Sequence, residues 1–428
     1  MKLYSHQEQA LKQTENMNRV AYYHDMGLGK TFTGAEKLHR LDAKVNLVIC
    51  QKSKIDDWLN HFNEHYINND NCIIAYNLTK KNEFEQFING CKCACGQCVG
   101  VINYELAFRR KELLELHDFT LMLDESSLIQ NDKAKRTKFI LKMNAANVIL
   151  LSGTPTSGKY ENLWSQIHLL GWDIKKTTYE KQYINWVNMN FGGFIHKVVD
   201  KRNPYKNVER LKSKMREHGA VFMKTEECFE LPEQTFINVK VPTTREYKRF
   251  KKDSIVTVDD VELVGDTSLT KLLYMRMLCG QYNSNKLQSF KELAESTNDR
   301  LIVFYNFNDE LQRLKAIAEE LERPISEVNG NTKDLTAYEN ENDSITFVQY
   351  QAGAMGLNLQ KANKIVYFSL TLSSELFEQS KKRTHRIGQT NTCFYYTMIC
   401  EKSIEEDIFR TLEKRKDYTD ELFKQNVW

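Results

Sequence analysis

His24-Asp-Met-Gly27-Leu-Gly29-Lys30-Thr31 is the stretch that decides how the rest of the chain reads. Glycines let the backbone approach phosphate oxygens closely and aim amides at them. Lys30 supplies a point charge for β- and γ-phosphates, and Thr31 a hydroxyl for Mg²⁺. The strict form of this loop has Gly where His24 stands, so the stretch alone also reads as a glycine-rich turn before a helix. A second signal resolves that choice. Leu121-Met-Leu-Asp124-Glu125-Ser-Ser127 puts two carboxylates at the carboxyl end of an apolar strand, where ligands bind in open α/β sheets. Asp124 is expected to hold Mg²⁺ and Glu125 to orient and polarise the attacking water.

Outward from these motifs, short β-branched runs recur in two series. The first comprises Val45–Cys50, Cys72–Tyr76, Val99–Asn103, Phe119–Asp124 and Val148–Ser152. The second comprises Leu301–Tyr305, Ile345–Tyr350, Ile365–Phe368 and Phe394–Ile399. Apolar runs of this length, interspersed with helical stretches, are the pattern of parallel sheets buried on both faces. Two series imply two α/β domains, which suits 428 residues. The intervening 160–290 lacks the strand rhythm and reads as mainly helical, with Leu231-Pro232 as a stop between elements. We place the boundary at 225, giving domains 1–225, including the helical insertion, and 226–428. Ser403 opens a helix on a capping box, with Ile404, Ile408 and Leu412 along one face.

At 41% hydrophobic and 27% charged, the composition is that of a folded chain. No apolar run approaches the ~20 residues of a membrane span, and the start at Met1 is polar, so a membrane or secreted protein is not expected. Sixty Lys+Arg against 57 Asp+Glu, net +3, decide nothing about partners; clustering does. Lys133, Lys135, Arg136, Lys138 and Lys142 follow the acidic pair, and five more bases lie in 206–216. Such runs serve either as solvated surface or as neutralisers of phosphate, without base information. Ser373 to Gln389 carries Arg383 and Arg386 three apart, on one face if the segment is helical. A guanidinium fork there suits a γ-phosphate. Cys91, Cys93, Cys95 and Cys98 are a possible zinc donor set, but eight residues is a cramped span for four ligands. We expect sub-stoichiometric zinc there.

In this order the motifs resemble the Swi/Snf-type translocases of helicase superfamily two, in particular compact bacteriophage or bacterial members. Leu3 through Gln7 is similar to the adenine-recognising segment, with His6 where Tyr is usual. Asp25 through Thr31 matches the family's phosphate loop, which itself often lacks the first Gly. Val48-Ile-Cys-Gln-Lys-Ser53 with Trp58 resembles motif Ia, Ile102-Asn-Tyr-Glu105 motif Ib, and Asp124-Glu125-Ser-Ser the acidic box. Leu151-Ser-Gly-Thr-Pro-Thr156 resembles motif III. Val303-Phe-Tyr305, Gln351 through Leu359, and Gln379 through Gln389 resemble motifs IV, V and VI. Ser127 replaces the usual box His, which puts the coupling to motif III in question. Ser369–Ser374 lacks the usual Asp and Trp-Asn-Pro.

The resemblance implies an α/β fold of two RecA-like lobes, each a mainly parallel sheet flanked by helices, with ATP and Mg²⁺ in the cleft between them and double-stranded DNA across both. It places Gln7, Gly27, Gly29, Lys30, Thr31, Gly356 and Asn358 at ATP, with Lys30, Asp124, Glu125, Arg383 and Arg386 in catalysis. Ser152, Thr154 and Gln379 would couple the sites. Ser53, Lys54, Asn103, Tyr104, Lys133, Lys135, Arg136, Tyr305, Asn306 and Gly353 would meet the DNA backbone. The expected activity is DNA-dependent ATP hydrolysis driving movement along a duplex without strand separation. A strand-separating DNA or RNA helicase and a nucleotide-gated clamp are the rivals; the absence of a wedge or hairpin signal in the sequence weighs against the first. A monomer in a prokaryotic or phage-infected cytoplasm, with an unidentified protein recruiter, completes the expectation.

Overall fold

The structure, a computed structural model, describes residues 2–66, 72–89, 96–191, 193–353 and 357–423. It forms two compact units, Met1–Cys228 with Asp417–Trp428, and Phe229–Lys416.

The first unit is built on β1 (Arg19–His24), β2 (Val45–Cys50), β3 (Cys72–Asn77), β4 (Gly96–Asn103), β5 (Thr120–Asp124) and β6 (Asn147–Leu151), then the hairpin β7 (Trp186–Phe191) and β8 (Phe194–Val199), and β9 (Ala220–Met223). Seven of these make one sheet in the order β3-β4-β2-β5-β6-β1-β9, and every pairing in it is parallel. Parallel strands need crossovers that cover both faces, so β2 and β6 are apolar and buried almost throughout. In β1, Arg19-Val-Ala-Tyr-Tyr-His24, two tyrosines and a histidine disguise a strand that is buried from Val20 onward. Tyr22 hydroxyl meets Thr14 Oγ1 at 2.7 Å, which satisfies its polar tip and lets the ring join the core.

In the second unit, β10 (Gln234–Val241) precedes a small antiparallel hairpin, β11 (Ile255–Val258) and β12 (Val261–Val264). There follow β13 (Leu301–Tyr305), β14 (Ile325–Val328), β15 (Lys333–Asp334), β16 (Ile345–Gln349), β17 (Lys364–Tyr367) and β18 (Cys393–Cys400). Its sheet runs β10-β18-β17-β13-β16-β14-β15, parallel except at the β14–β15 edge. A buried ion pair, Lys286 Nζ to Glu405 Oε1 at 2.7 Å, ties helix Ser284–Glu295 to the start of helix Ile404–Phe423. Burial opposes the lysine's charge, but Glu405 and two neighbouring thiols outweigh it and raise the pKa.

Each of the nine apolar runs read from the sequence lies on an observed strand. The stretch 160–290 is less uniformly helical than its composition suggests, because it contains two β-hairpins together with β9 and β10. No helix among the described residues is long and apolar enough to cross a membrane.

Candidate functional site

The phosphate loop connects β1 to helix Lys30–Arg40. Gly27 and Gly29 sit at φ 90° and 70°, a region open to glycine at little cost, and Gly29 caps the helix. The first turn of that helix therefore starts at Lys30 and Thr31, whose amides belong to the set that a helix leaves for anions. A Cβ on Gly29 would lie 2.4 Å from Gln7 Nε2. Gln7 itself bonds the carbonyls of Leu28 (3.1 Å) and Gly29 (3.3 Å), and the His6 ring meets Leu28 O at 3.0 Å. The segment around residue 7 is thus fastened to the loop it was expected to serve.

His24 contributes only its carbonyl to the loop, where it accepts from Lys30 Nζ at 3.1 Å, with Asp25 O at 3.4 Å. Its imidazole is buried, and burial followed by the charges of Lys30 and His6 pushes its pKa down to about 3. A neutral side chain turned into the core explains why no Gly is needed at this position.

Asp124 ends β5. Its Oδ2 accepts from Trp58 Nε1 at 2.9 Å, its Oδ1 from the amide of Glu125 at 3.1 Å, and its carbonyl from Tyr104 hydroxyl at 2.8 Å. Burial raises its pKa, against which the Trp58 bond and the charge of Lys30 pull downward. A buried carboxylate with few waters of its own is a hard oxygen donor of the kind Mg²⁺ takes. Asp124 and the Thr31 hydroxyl suit Mg²⁺, which would carry charge on the phosphates of a bound nucleotide. Glu125 lies at φ 51°, ψ 59°, left-handed for a non-glycine residue, a conformation that costs of order 1–3 kcal/mol and must be held by its surroundings.

The Ser152–Thr156 segment lies alongside. Ser152 Oγ accepts from the Thr154 amide at 3.2 Å, and a Cβ on Gly153 would lie 3.4 Å from both Lys30 Nζ and His24 O. The structure thus gathers Lys30, Asp124, Glu125, Ser152 and Thr154 at the carboxyl ends of β1, β5 and β6. Two contributors escaped the sequence reading. In the sequence Trp58 reads only as part of motif Ia, and nothing there links it to Asp124. Gln166, fully buried in helix Trp164–Leu169, belongs to none of the motifs; its one signal in the sequence is a polar residue between Leu163 and Ile167 on an apolar helix face.

In the second unit, Asn358 Oδ1 accepts from Arg386 Nη1, and Arg383 Nη1 reaches Leu357 O at 3.5 Å. Leu359 amide donates to Arg383 O at 3.0 Å, so the two motifs are knitted together. Helix Ser374–Lys381 stops short of both arginines, which stand on the turns that follow, and Gly388 at φ 96° continues the turn. The shared helical face expected for them is therefore absent. Burial lowers the pKa of Arg386. Gln379 Nε2 lies 3.4 Å from Glu375 Oε1. Gly356 lies outside the described residues.

The residues expected at DNA divide. Ser53 and Lys54 are on the short turn Lys52–Lys54, with Lys54 Nζ 2.7 Å from Asp57. Lys133, Lys135, Lys138 and Lys142 are exposed, and Arg136 lies 3.8 Å from Glu105. Gly353 closes helix Tyr350–Gly353. Tyr104 and Tyr305 are corrections: both are buried, the first spent on Asp124 and the second inside its sheet, so neither is placed to touch a backbone. Asn103 bonds Glu105 at 3.0 Å, and Asn306 bonds Ser369 Oγ at 2.8 Å. The second basic cluster also contracts. Lys212 is buried against Glu209 and Glu421, Lys214 pairs with Glu217, and Arg216 covers the ring of Phe222. Cys91, Cys93 and Cys95 lie outside the described residues, while Cys98 is buried in β4 with its thiol 3.3 Å from Lys44 O.

A glycine loop at a helix N-terminus, with a carboxylate pair ending a parallel strand that lies one place away across β6, defines a P-loop nucleotide-binding unit. The SNF2-related domain matches residues 9–288 and the helicase conserved C-terminal domain matches residues 285–388. The chain belongs to the SNF2-related family. Mouse "SWI/SNF-related matrix-associated actin-dependent regulator of chromatin subfamily A member 1" is 21% identical over 91% of this chain and 40% of its own length. The putative ATP-dependent helicase/translocase YwqA of Bacillus subtilis is 23% identical over 72% of this chain and 36% of its own. The probable ATP-dependent DNA helicase CHR23 of Arabidopsis thaliana is 24% identical over 91% and 40%. The chain thus spans about 40% of the length of the curated relatives it matches. Among solved structures, the Sulfolobus solfataricus SWI2/SNF2 ATPase core in complex with dsDNA is 18% identical, covering 98% of this chain and 92% of that one at a TM-score of 0.45.

Proposed function

We propose that this chain is a DNA-dependent ATPase that moves along double-stranded DNA. The observation that carries the reading is the juxtaposition of Lys30, Asp124 and Glu125 around one phosphate loop, each held by buried partners. Lys30 grips phosphate, Asp124 with Thr31 holds Mg²⁺, and Glu125 orients water. Arg383 and Arg386 supply positive charge to the transferring phosphoryl group, a contribution typically worth on the order of 10³–10⁵ in rate. Exposed Lys133, Lys135, Lys138 and Lys142 just after the acidic box offer phosphate contacts, and relatives are named as DNA helicases and translocases.

One observation favours a second reading. The hairpin of β7 and β8, unsuspected in the sequence, exposes Phe194 and Ile195 to solvent at 74% and 73%. Apolar side chains inserted between base steps partly unstack and kink a duplex, so this exposed tip is a candidate wedge. The sequence argument against strand separation, that no hairpin was visible, therefore falls away. A third strand annealed as a triplex on a blunt duplex tests translocation, because its displacement requires hydrolysable ATP and no unwinding. We expect displacement with a forked duplex left paired. Unwinding of the fork would establish the helicase reading, and DNA-stimulated hydrolysis with neither outcome would remove translocation.

A further inference from the structure

One buried amide joins three parts of the nucleotide site. Gln166 Oε1 accepts from Ser126 Oγ at 2.8 Å and from Tyr23 hydroxyl at 3.0 Å, while its Nε2 donates to Pro155 O at 2.7 Å. The side chain is fully buried. Its orientation is set by chemistry, since the Pro155 carbonyl only accepts and must face the amide nitrogen. Tyr23 is the residue before His24 on the strand feeding the phosphate loop. Ser126 follows the strained Glu125, and Pro155 lies two residues from Gly153, beside Lys30. A neighbouring chain of bonds reinforces the same carbonyl: Gln130 Nε2 reaches Pro155 O at 3.5 Å and Ser157 Oγ at 3.2 Å, and Asn162 fixes Gln130 at 2.9 Å.

Resting on the ATPase reading, we infer that Gln166 is a positioning residue that couples the Glu125 turn to the Ser152–Thr156 segment and to the phosphate-loop strand. Ser127, which stands where the usual box His would be, need not make that link. Glu125 has a backbone conformation its own side chain does not favour, so the fastening of Ser126 decides where the carboxylate points. The hydrogen bonds of Gln166 go to Tyr23, Ser126 and Pro155 and not to Lys30 or Gln7, so its loss should leave nucleotide grip intact while mis-aiming the carboxylate. In a buried network, removing the shared member strands every partner at once.

Gln166→Met keeps the length and removes the bonds. Expected is a fall in kcat of DNA-stimulated ATP hydrolysis of about 10–100-fold. KM for ATP and binding of a fluorescent ATP analogue should stay within about threefold, since no contact to nucleotide is removed. Ser126→Ala cuts the same link from the other side and should lower kcat in the same direction, and the double variant should be no worse than Gln166→Met alone. Unchanged kcat in a folded Gln166→Met protein overturns the inference, as does a parallel loss of kcat, ATP affinity and melting temperature in both single variants. If Gln166→Met does not fold, Ser126→Ala alone decides by the same split. Absence of hydrolysis in the wild-type chain would instead sink the ATPase reading, so the two failures are distinguishable.

Discussion

His24 gives the site a pH signature that can be worked out from its surroundings. Its ring is fully buried, and among the described residues neither ring nitrogen has a hydrogen-bond partner. Burial, then Lys30 and His6, takes its pKa down to about 3, against an ordinary value of about 6.5. Between those values the unfolded chain binds a proton that the folded chain refuses. Stability therefore rises with pH across that window: the full contribution is present above about 6.5 and is lost as the pH falls toward 3. At about 1.4 kcal/mol per pH unit, moving from pH 7 to pH 5 removes about 2 kcal/mol through this one group. His24→Phe keeps a ring beside Tyr22, whose centroid is 5.3 Å away, and cannot be protonated. Trp58, Trp164, Trp172 and Trp186, all the tryptophans among the described residues, belong to the first unit, so indole fluorescence during urea unfolding reports chiefly on that unit. The wild type should lose about 2 kcal/mol more than His24→Phe between pH 7 and pH 5. His61, which burial takes down to about 4, titrates in both proteins and cancels in the difference. Equal pH slopes for the two proteins would refute the reasoning, since they would mean that the imidazole accepts a proton in place.

Three further outcomes are expected. Lys30→Ala should lose nucleotide binding or turnover, whereas Glu125→Gln should bind ATP and hydrolyse it slowly; near wild-type turnover in Glu125→Gln would remove that carboxylate from catalysis. Arg386→Lys keeps a charge but not the guanidinium fork, and should cost at least about tenfold in kcat with ATP affinity largely retained, read by steady-state hydrolysis beside equilibrium nucleotide binding. Changing Lys133 and Lys135 to Ala should weaken duplex binding uniformly across sequences and flatten the dependence of log K on log salt by about 0.9 per lost phosphate contact; an unchanged slope would make the cluster ordinary solvated surface.

What the sequence disclosed followed from periodicity and glycine chemistry. Runs such as Val45–Cys50 and Val148–Leu151 read as strands because they are too short for a buried helix, rich in β-branched residues and bounded by polar or turn residues, and each pairs on both sides in the sheet. The phosphate loop was legible because Gly27, Gly29 and Lys30 declare both a backbone conformation and a charge. β1 escaped because Tyr22, Tyr23 and His24 look polar, and only the folded partner, Thr14 at the end of the preceding helix, shows how a polar tip is accommodated. The hairpin of β7 and β8 was legible in principle, since Val187-Asn-Met-Asn-Phe191 alternates apolar and polar residues up to a Gly-Gly pair; it escaped because it stands alone in a polar stretch, and neither strand pairs with the main sheet.

Burial also separates residues that a motif alone treats as equals. Tyr104 and Lys54 both fall in segments that resemble DNA-contacting motifs, yet one hydroxyl is consumed by Asp124 O at 2.8 Å while the other side chain lies on a surface turn. Lys212 and Lys135 are both cluster lysines, yet the first is sealed between two glutamates and only the second is exposed. A charge given to a buried partner cannot also neutralise phosphate, because withdrawing it would strand the partner it leaves. The basic stretch 206–216 therefore has less to offer a duplex than its count of bases implies, and electrostatic attraction to DNA from the first unit should come chiefly from the lysines that follow the acidic box.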